Sequence, residues 1–154
     1  MLKNDLEGIL HRINDLSNHV ISQEASYVDN EAQWPEKSMR ALLQEEFGGL
    51  VATEAQGGLG QGLLGLVKFC EIISQQCAST SMCYGMHSVA TAVLSAKATD
   101  YQTSNFIQPI VDGKFITTLA LSEPGTGAHF YYPQSQLTSL SDNSYKIKRS
   151  IDTK

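Results

Sequence analysis

The sequence holds little of what ties a small protein to a metal, a membrane or a nucleic acid. Only three of its 154 residues are cysteines, Cys70, Cys77 and Cys83. An odd count, without C-x-x-C spacing or a signal-like apolar core after Met1, points to a reducing compartment rather than a disulfide framework. The four histidines, His11, His19, His87 and His129, have no Cys, His or carboxylate at metal-ligand spacing, so no metal is expected. Lys and Arg are outnumbered by Asp and Glu, 11 to 16, for a net charge of −5. A phosphate backbone attracts basic surfaces, so no nucleic-acid partner is expected. No run approaches the roughly 18 apolar residues of a membrane span. The expectation is a soluble, cytoplasmic protein.

What is present suffices for a core. The chain is 42% hydrophobic, which fits one modest domain, or a domain plus part of a second. Leu2, Leu6, Ile9, Leu10, Ile13, Leu16 and Val20 form one apolar stripe at helical spacing. The polar stretch 29–33 ends it, and Trp34-Pro35 opens a second helix with Met39, Leu42, Leu43 and Phe47 inward. Gly48 is the expected left-handed closing residue. Six of the twelve glycines lie between Gly48 and Gly62, a mobile or tightly folded loop. Leu63, Leu64, Val67, Cys70 and Ile73 mark a third helix.

A fourth helix is expected over about 82–97, capped by Ser79 or Thr80. It is apolar or small nearly all round, the pattern of a central bundle helix. Asp100 is the expected cap of a fifth, disturbed by Pro109 and ended by Gly113. After Gly113 the β-formers Phe115 to Leu121 replace helical periodicity. Glu123-Pro124-Gly125-Thr126-Gly127 is a turn, and 135–140 and 144–151 are two further strands around Asp142-Asn143. The fold class is therefore α+β: an N-terminal all-α bundle of about five helices over 1–112, then an incomplete small β-sheet over 113–154.

Several motifs are weaker than they look. Gly60-Gln61-Gly62-Leu63-Leu64-Gly65 matches the dinucleotide fingerprint, but a glycine loop precedes it and Met82 stands where an acid belongs. No hydrolase elbow is present. His87, on the apolar fourth helix, reads as a satisfied core or cavity histidine. The cysteines read as small hydrophobes, and Glu123 as an acceptor for backbone N–H groups of the glycine turn.

Three segments, in order, resemble the acyl-CoA dehydrogenase family. The first runs from Val28-Asp29 through Trp34-Pro35 to Phe47-Gly48-Gly49-Leu50 and Gly57-Gly58-Leu59-Gly60. The second is Cys77-Ala78-Ser79-Thr80-Ser81 with Tyr84-Gly85-Met86-His87. The third, Leu119-Ala120-Leu121-Ser122-Glu123-Pro124-Gly125-Thr126-Gly127, resembles the family's Glu-Pro signature with its Gly-x-Gly. The resemblance implies an N-terminal helical domain and the start of a middle β-domain. It also implies an FAD-dependent oxidoreductase acting across the Cα–Cβ bond of an acyl-CoA thioester in fatty acid metabolism.

By the same resemblance Leu119, Leu121, Ser122, Gly125, Gly127 and Ala128 are candidate flavin contacts, and Met82, Gly85 and Met86 line an acyl pocket. The sequence departs from the family where Ala128 and His129 replace Ser-Asp, and where 53–56 replace a Pro-Glu. The family's catalytic base lies in a C-terminal helical bundle that no position here matches, so no catalytic residue is assigned. The chain alone is accordingly expected to bind FAD weakly or not at all, with a partner chain or homo-oligomer completing the site. The alternatives are a flavin monooxygenase or acyl-CoA oxidase of the same fold, or a non-catalytic helical interaction module.

Overall fold

The computed structural model describes residues 5–123, 125, 129, 131–142 and 144–148. The chain divides into two compact units, Met1–Leu119 and Ala120–Lys154. The first is helical, and its described residues form five continuous rods. Rod one joins α1 (Leu6–Leu16), a wide π turn (Ser17–Ile21) and α2 (Ser22–Asn30); rod two is α3 (Glu36–Gln44). Rods three and four are α4 (Leu63–Ser74) and α5 (Ala78–Lys97). Rod five joins α6 (Asp100–Gln102), a second π turn (Thr103–Ile107) and α7 (Gln108–Val111). The second unit holds one antiparallel pair, β1 (Gln136–Ser139) and β2 (Tyr145–Lys148), with Leu137 opposite Ile147. The α+β order read from the sequence is the order found.

The π turn of rod one explains a one-residue shift in the apolar stripe. Ile9, Ile13, Ser17, Ile21, Glu24 and Val28 are buried. Three successive four-residue steps in a plain α-helix would drift by about 40° each. The wider turn absorbs that drift, so Ile21 rather than Val20 faces the core. Leu2 lies outside the described residues. The second π turn sits just before Pro109, which has no N–H to give and whose ring crowds the carbonyl four residues back.

Glu24, buried on α2, holds the start of α3. Pro35 is the N-cap residue of α3 and makes no side-chain cap bond. The Glu24 carboxylate instead accepts the backbone N–H of Lys37 at 3.1 Å and of Ser38 at 2.7 Å, and the Ser38 hydroxyl at 2.6 Å. An anion at a helix N-terminus satisfies orphan donors and meets the positive end of the dipole. Burial raises the Glu24 pKa, but the bonds from Ser38 and Lys37 together outweigh it, so the net shift is downward.

Several local expectations change. Glu46, not Gly48, takes the left-handed position after α3, with φ 65°. Gly48 is required by crowding instead, because a Cβ there would strike the Ile110 carbonyl. α5 starts at Ala78 rather than 82, capped by Cys77, whose sulfur accepts the Thr80 N–H at 3.4 Å. Thr99, not Asp100, caps α6 in a capping box with Gln102. Gly113 does close α7, with φ 72°. There Gly113 N–H reaches Ile110 O, and Lys114 N–H reaches Pro109 O at 2.8 Å, which is a Schellman motif. The glycine loop is tightly folded: Leu59, Gly60 and Gln61 donate back to Gly49, Ala52 and Leu50.

The expected strand over Phe115–Leu121 does not form. Among the described residues the ladders are only β1 and β2. The β-forming side chains are there, but no neighbouring edge is, and a strand without an edge has no ladder. The Thr117 N–H goes to a histidine instead.

Replacing Glu24 with Ala is expected to lower unfolding stability by about 1.5–3 kcal/mol, the worth of a hydrogen bond to a charged group. The check is a shift in urea midpoint at neutral pH. Because the folded pKa is depressed, wild-type loses this contribution as pH falls through the carboxylate range. The gap between wild-type and variant should therefore close in acid.

Candidate functional site

α5 is built inside out. Its inward face carries hydroxyls and an imidazole, and those of Ser81, Tyr84, His87, Thr91 and Ser95, at three- and four-residue steps, each meet a carbonyl or amide, while the buried hydroxyls of Thr80 and Ser88 have no hydrogen-bond partner among the described residues. Ser81 Oγ donates to Cys70 O of α4 at 2.9 Å. Tyr84 OH donates to Phe47 O at 2.7 Å, and His87 Nε2 lies 2.9 Å from Gly48 O. Thr91 Oγ1 donates to His87 O at 2.8 Å, and Ser95 Oγ donates to Gln56 Oε1. Tyr84 is fully buried, and burial pushes its pKa well above the ordinary tyrosine range.

The outward face is apolar. Met82 is 68% exposed, Val93 60% and Val89 40%, while Gly85 and Met86 are half-buried. On neighbouring α4, Leu63, Leu64 and Val67 are exposed too. The expectation that α5 is a central helix is therefore corrected. Tyr84 and His87 face in toward the Phe47 and Gly48 carbonyls, and Met82, Val89 and Val93 are left outside.

Met82, Gly85 and Met86, the residues expected at an acyl pocket, share one side of α5 by helical spacing. Gly85 is not there because α4 crowds it: a Cβ would sit 3.9 Å from Cys70 Sγ, ordinary contact. Leu119 ends the first unit half-buried; Leu121 and Ser122, in the second, are exposed. Among the described residues the backbone of 118–122 makes no hydrogen bond. An exposed run whose N–H and C=O groups make no bond among the described residues could hold a planar ligand with a polar edge. Gly125 is exposed, and Gly127 and Ala128 lie outside the described residues.

His87 is fully buried, and its pKa is lowered by burial, with the Gly48 bond pulling the other way. Thr117 N–H donates to its Nδ1 at 3.1 Å. It is a satisfied core histidine, as its place on the helix suggested. Glu123 is a buried acceptor. It takes the N–H groups of Gln134 at 2.5 Å and Ser135 at 3.1 Å, and the Ser135 hydroxyl. The cysteines are free, Cys77 buried and the other two half-buried. No metal-ligand group and no membrane-length apolar helix occurs among the described residues.

A cleft of about 1100 Å³ opens between α3, the glycine loop and the end of α7. Its cations are paired, Arg40 with Glu36 and Lys114 with Asp112, and none of the expected pocket residues line it.

Among the described residues a helical unit is followed by a run without a ladder and then by a small hairpin. The chain belongs to the acyl-CoA dehydrogenase family: residues 4–114 match the family's N-terminal domain. It is 31% identical over 111 residues to mitochondrial isovaleryl-CoA dehydrogenase of Arabidopsis thaliana, covering 70% of this chain and 27% of that one. It is 27% identical over 100 residues to mitochondrial isobutyryl-CoA dehydrogenase of Dictyostelium discoideum, covering 65% and 24%. The solved butyryl-CoA dehydrogenase of Megasphaera elsdenii shares the fold, with TM-score 0.83 at 18% identity over 96% of this chain and 39% of that one. The chain thus spans about a quarter of the two curated relatives.

Sequence reasoning missed the donor ladder of Ser81, Tyr84, Thr91 and Ser95. Its signal was available, since these positions repeat at helical spacing opposite the apolar ones.

Gly85→Ala is expected to raise stability by about 1 kcal/mol, the usual Gly-to-Ala gain inside a helix, because there is room for the methyl group. Thermal or urea unfolding checks it. With the His87 pKa lowered, the folded protein binds fewer protons than the unfolded chain just below the ordinary histidine value. Stability should be full above that value and fall as pH drops through it, and His87→Ala should flatten this limb.

Proposed function

We propose that this chain supplies the acyl-pocket wall and flavin-facing run of an FAD-dependent acyl-CoA dehydrogenase-type oxidoreductase. One observation carries the reading. α5 turns its polar groups inward and leaves Met82, Met86, Val89 and Val93 on the outer side, where an acyl chain has apolar surface to bury. Gly85 keeps that side low. The free backbone groups of Leu119, Leu121 and Ser122 would meet the polar edge of the flavin, and the glycines of the following turn would let the backbone approach its phosphates. When bound, the flavin supplies the hydride acceptor for α,β-dehydrogenation of an acyl-CoA thioester.

No position among these 154 residues matches the family's proton acceptor, so we place it and the rest of the cleft outside them, in a continuation of the chain, a partner chain or another copy. Ala128 has no hydroxyl to give a pyrophosphate, and a hydrogen bond to a charged group is worth about 1.5–3 kcal/mol. The chain alone is therefore expected to hold FAD weakly or not at all.

The test is gel filtration of the purified chain with excess FAD, followed by flavin absorbance. Little retained flavin is expected from the chain alone, and retained flavin once a completing chain is added. Stoichiometric yellow protein from the chain alone, bleached by an acyl-CoA, would overturn the incomplete-site reading. Failure to retain flavin with every completing partner would overturn the flavin reading itself.

A further inference from the structure

We propose that His87 is a positioning residue, a single-tautomer connector that fixes the register of the segment from Phe115 to Leu119 on α5 and so sets where the flavin-facing run begins. That last clause rests on the function proposed above; the connector itself does not.

The chemistry at the ring allows one arrangement. Nε2 lies 2.9 Å from the Gly48 carbonyl, which only accepts, so Nε2 carries the proton. Nδ1 lies 3.1 Å from the Thr117 backbone N–H, which only donates, so Nδ1 is bare. An imidazolium would set two N–H groups against each other at Thr117. The groups facing the ring are Gly48 from the turn after α3, Thr117 from the segment after α7, and Tyr84 one turn back on α5. None is charged at neutral pH.

Thr117 then locks onto the same turn of helix. Its hydroxyl donates to the His87 carbonyl at 3.0 Å, the acceptor that Thr91 also uses. Among the described residues, Thr117 is the only position from Ile116 to Ser122 whose backbone makes a hydrogen bond. Burial alternates along the segment, with Ile116 and Thr118 exposed and Thr117 and Leu119 half-buried. In an extended chain a one-residue slip exchanges the two sides. Phe115 N–H bonds the Pro109 carbonyl at 3.3 Å and anchors the start of the segment; beyond it, among the described residues, Nδ1 of His87 is the backbone's acceptor that favours the register turning Leu119 inward over the one turning Thr118 inward.

Asparagine and glutamine separate the two ends of the ring. Asn carries its amide at the level of Nδ1 and can accept from Thr117. Gln carries its amide at the level of Nε2 and can donate to Gly48. The experiment compares amide exchange at Thr117 in wild-type, His87→Asn and His87→Gln, in the whole chain without flavin, with α4 and α5 amides as the control for folding. Thr117 exchange is expected to stay near wild-type in His87→Asn and to quicken about tenfold in His87→Gln. Equal exchange in two folded variants would overturn the connector.

If either variant does not fold, ring nitrogen shifts of wild-type His87 decide. A proton on Nε2 and a bare Nδ1 uphold it, and a proton on Nδ1 overturns it. These readouts need no cofactor, so they can fail while flavin retention succeeds, or the reverse.

Discussion

Two buried carbonyls, those of Phe47 and Gly48, set the terms for the helical unit. They stand where the chain leaves α3 and enters the glycine loop, with both residues buried. A buried carbonyl without a donor is costly, so donors must be brought to them. Tyr84 and His87, one turn apart on α5, bring them. That requirement fixes which side of α5 faces in. It places Ser81, Thr91 and Ser95 along the same line, and it leaves Met82, Val89 and Val93 outside.

Packing reinforces the same junction. Phe47 meets Phe69 edge-on at 4.9 Å, and Phe69 stacks on Tyr84 at 4.8 Å, so α4 is threaded between the loop and α5 by one run of rings. Aromatic pairs in these geometries are worth about 0.5–1.5 kcal/mol beyond the area they bury. Arg12 of α1 closes the run, its guanidinium 4.7 Å above Phe47 while it bonds Glu45. The loop can come this close because Gly48 and Gly58 have no Cβ to strike Ile110 and Ala52. Only Gly57 and Gly60, of the six in 48–62, have left-handed backbone. Close approach is as strong a reason for the glycines as conformational freedom.

The helices were legible because their apolar spacing is a local property, and Ile9, Ile13, Met39, Leu42 and Ile73 of the core follow the stripes read from it; on α4 the stripe led by Leu63, Leu64 and Val67 is exposed instead, and Leu66 and Phe69 are buried. The Glu-Pro signature and glycine loop carried the family in the same local way. What was not legible depends on partners distant in sequence. No local rule gives Glu24 to the start of α3, or moves the inward residue from Val20 to Ile21 across a π turn. The run after Gly113 has the side chains of a strand, yet strand formation is a pairing event, and the edge it needs is not among the described residues. α5 was misread as central because its small, weakly polar side chains resemble a buried helix; their direction depends on where the Phe47 and Gly48 carbonyls lie.

Both units leave apolar surface uncovered. In the hairpin, Leu137, Tyr145 and Ile147 share one face by alternation and all three are exposed. A lone two-stranded pair is marginal in water, and an exposed apolar face on it is stabilising area left unburied. In the helical unit the outer side of α5 carries the same message with one addition. Gly85 costs the helix about 1 kcal/mol relative to alanine, and α4 leaves room for the missing methyl. Stability alone therefore favours alanine at that position. The acyl chain proposed above, lying between Met82 and Met86, is an occupant for which a methyl group at position 85 would take up space.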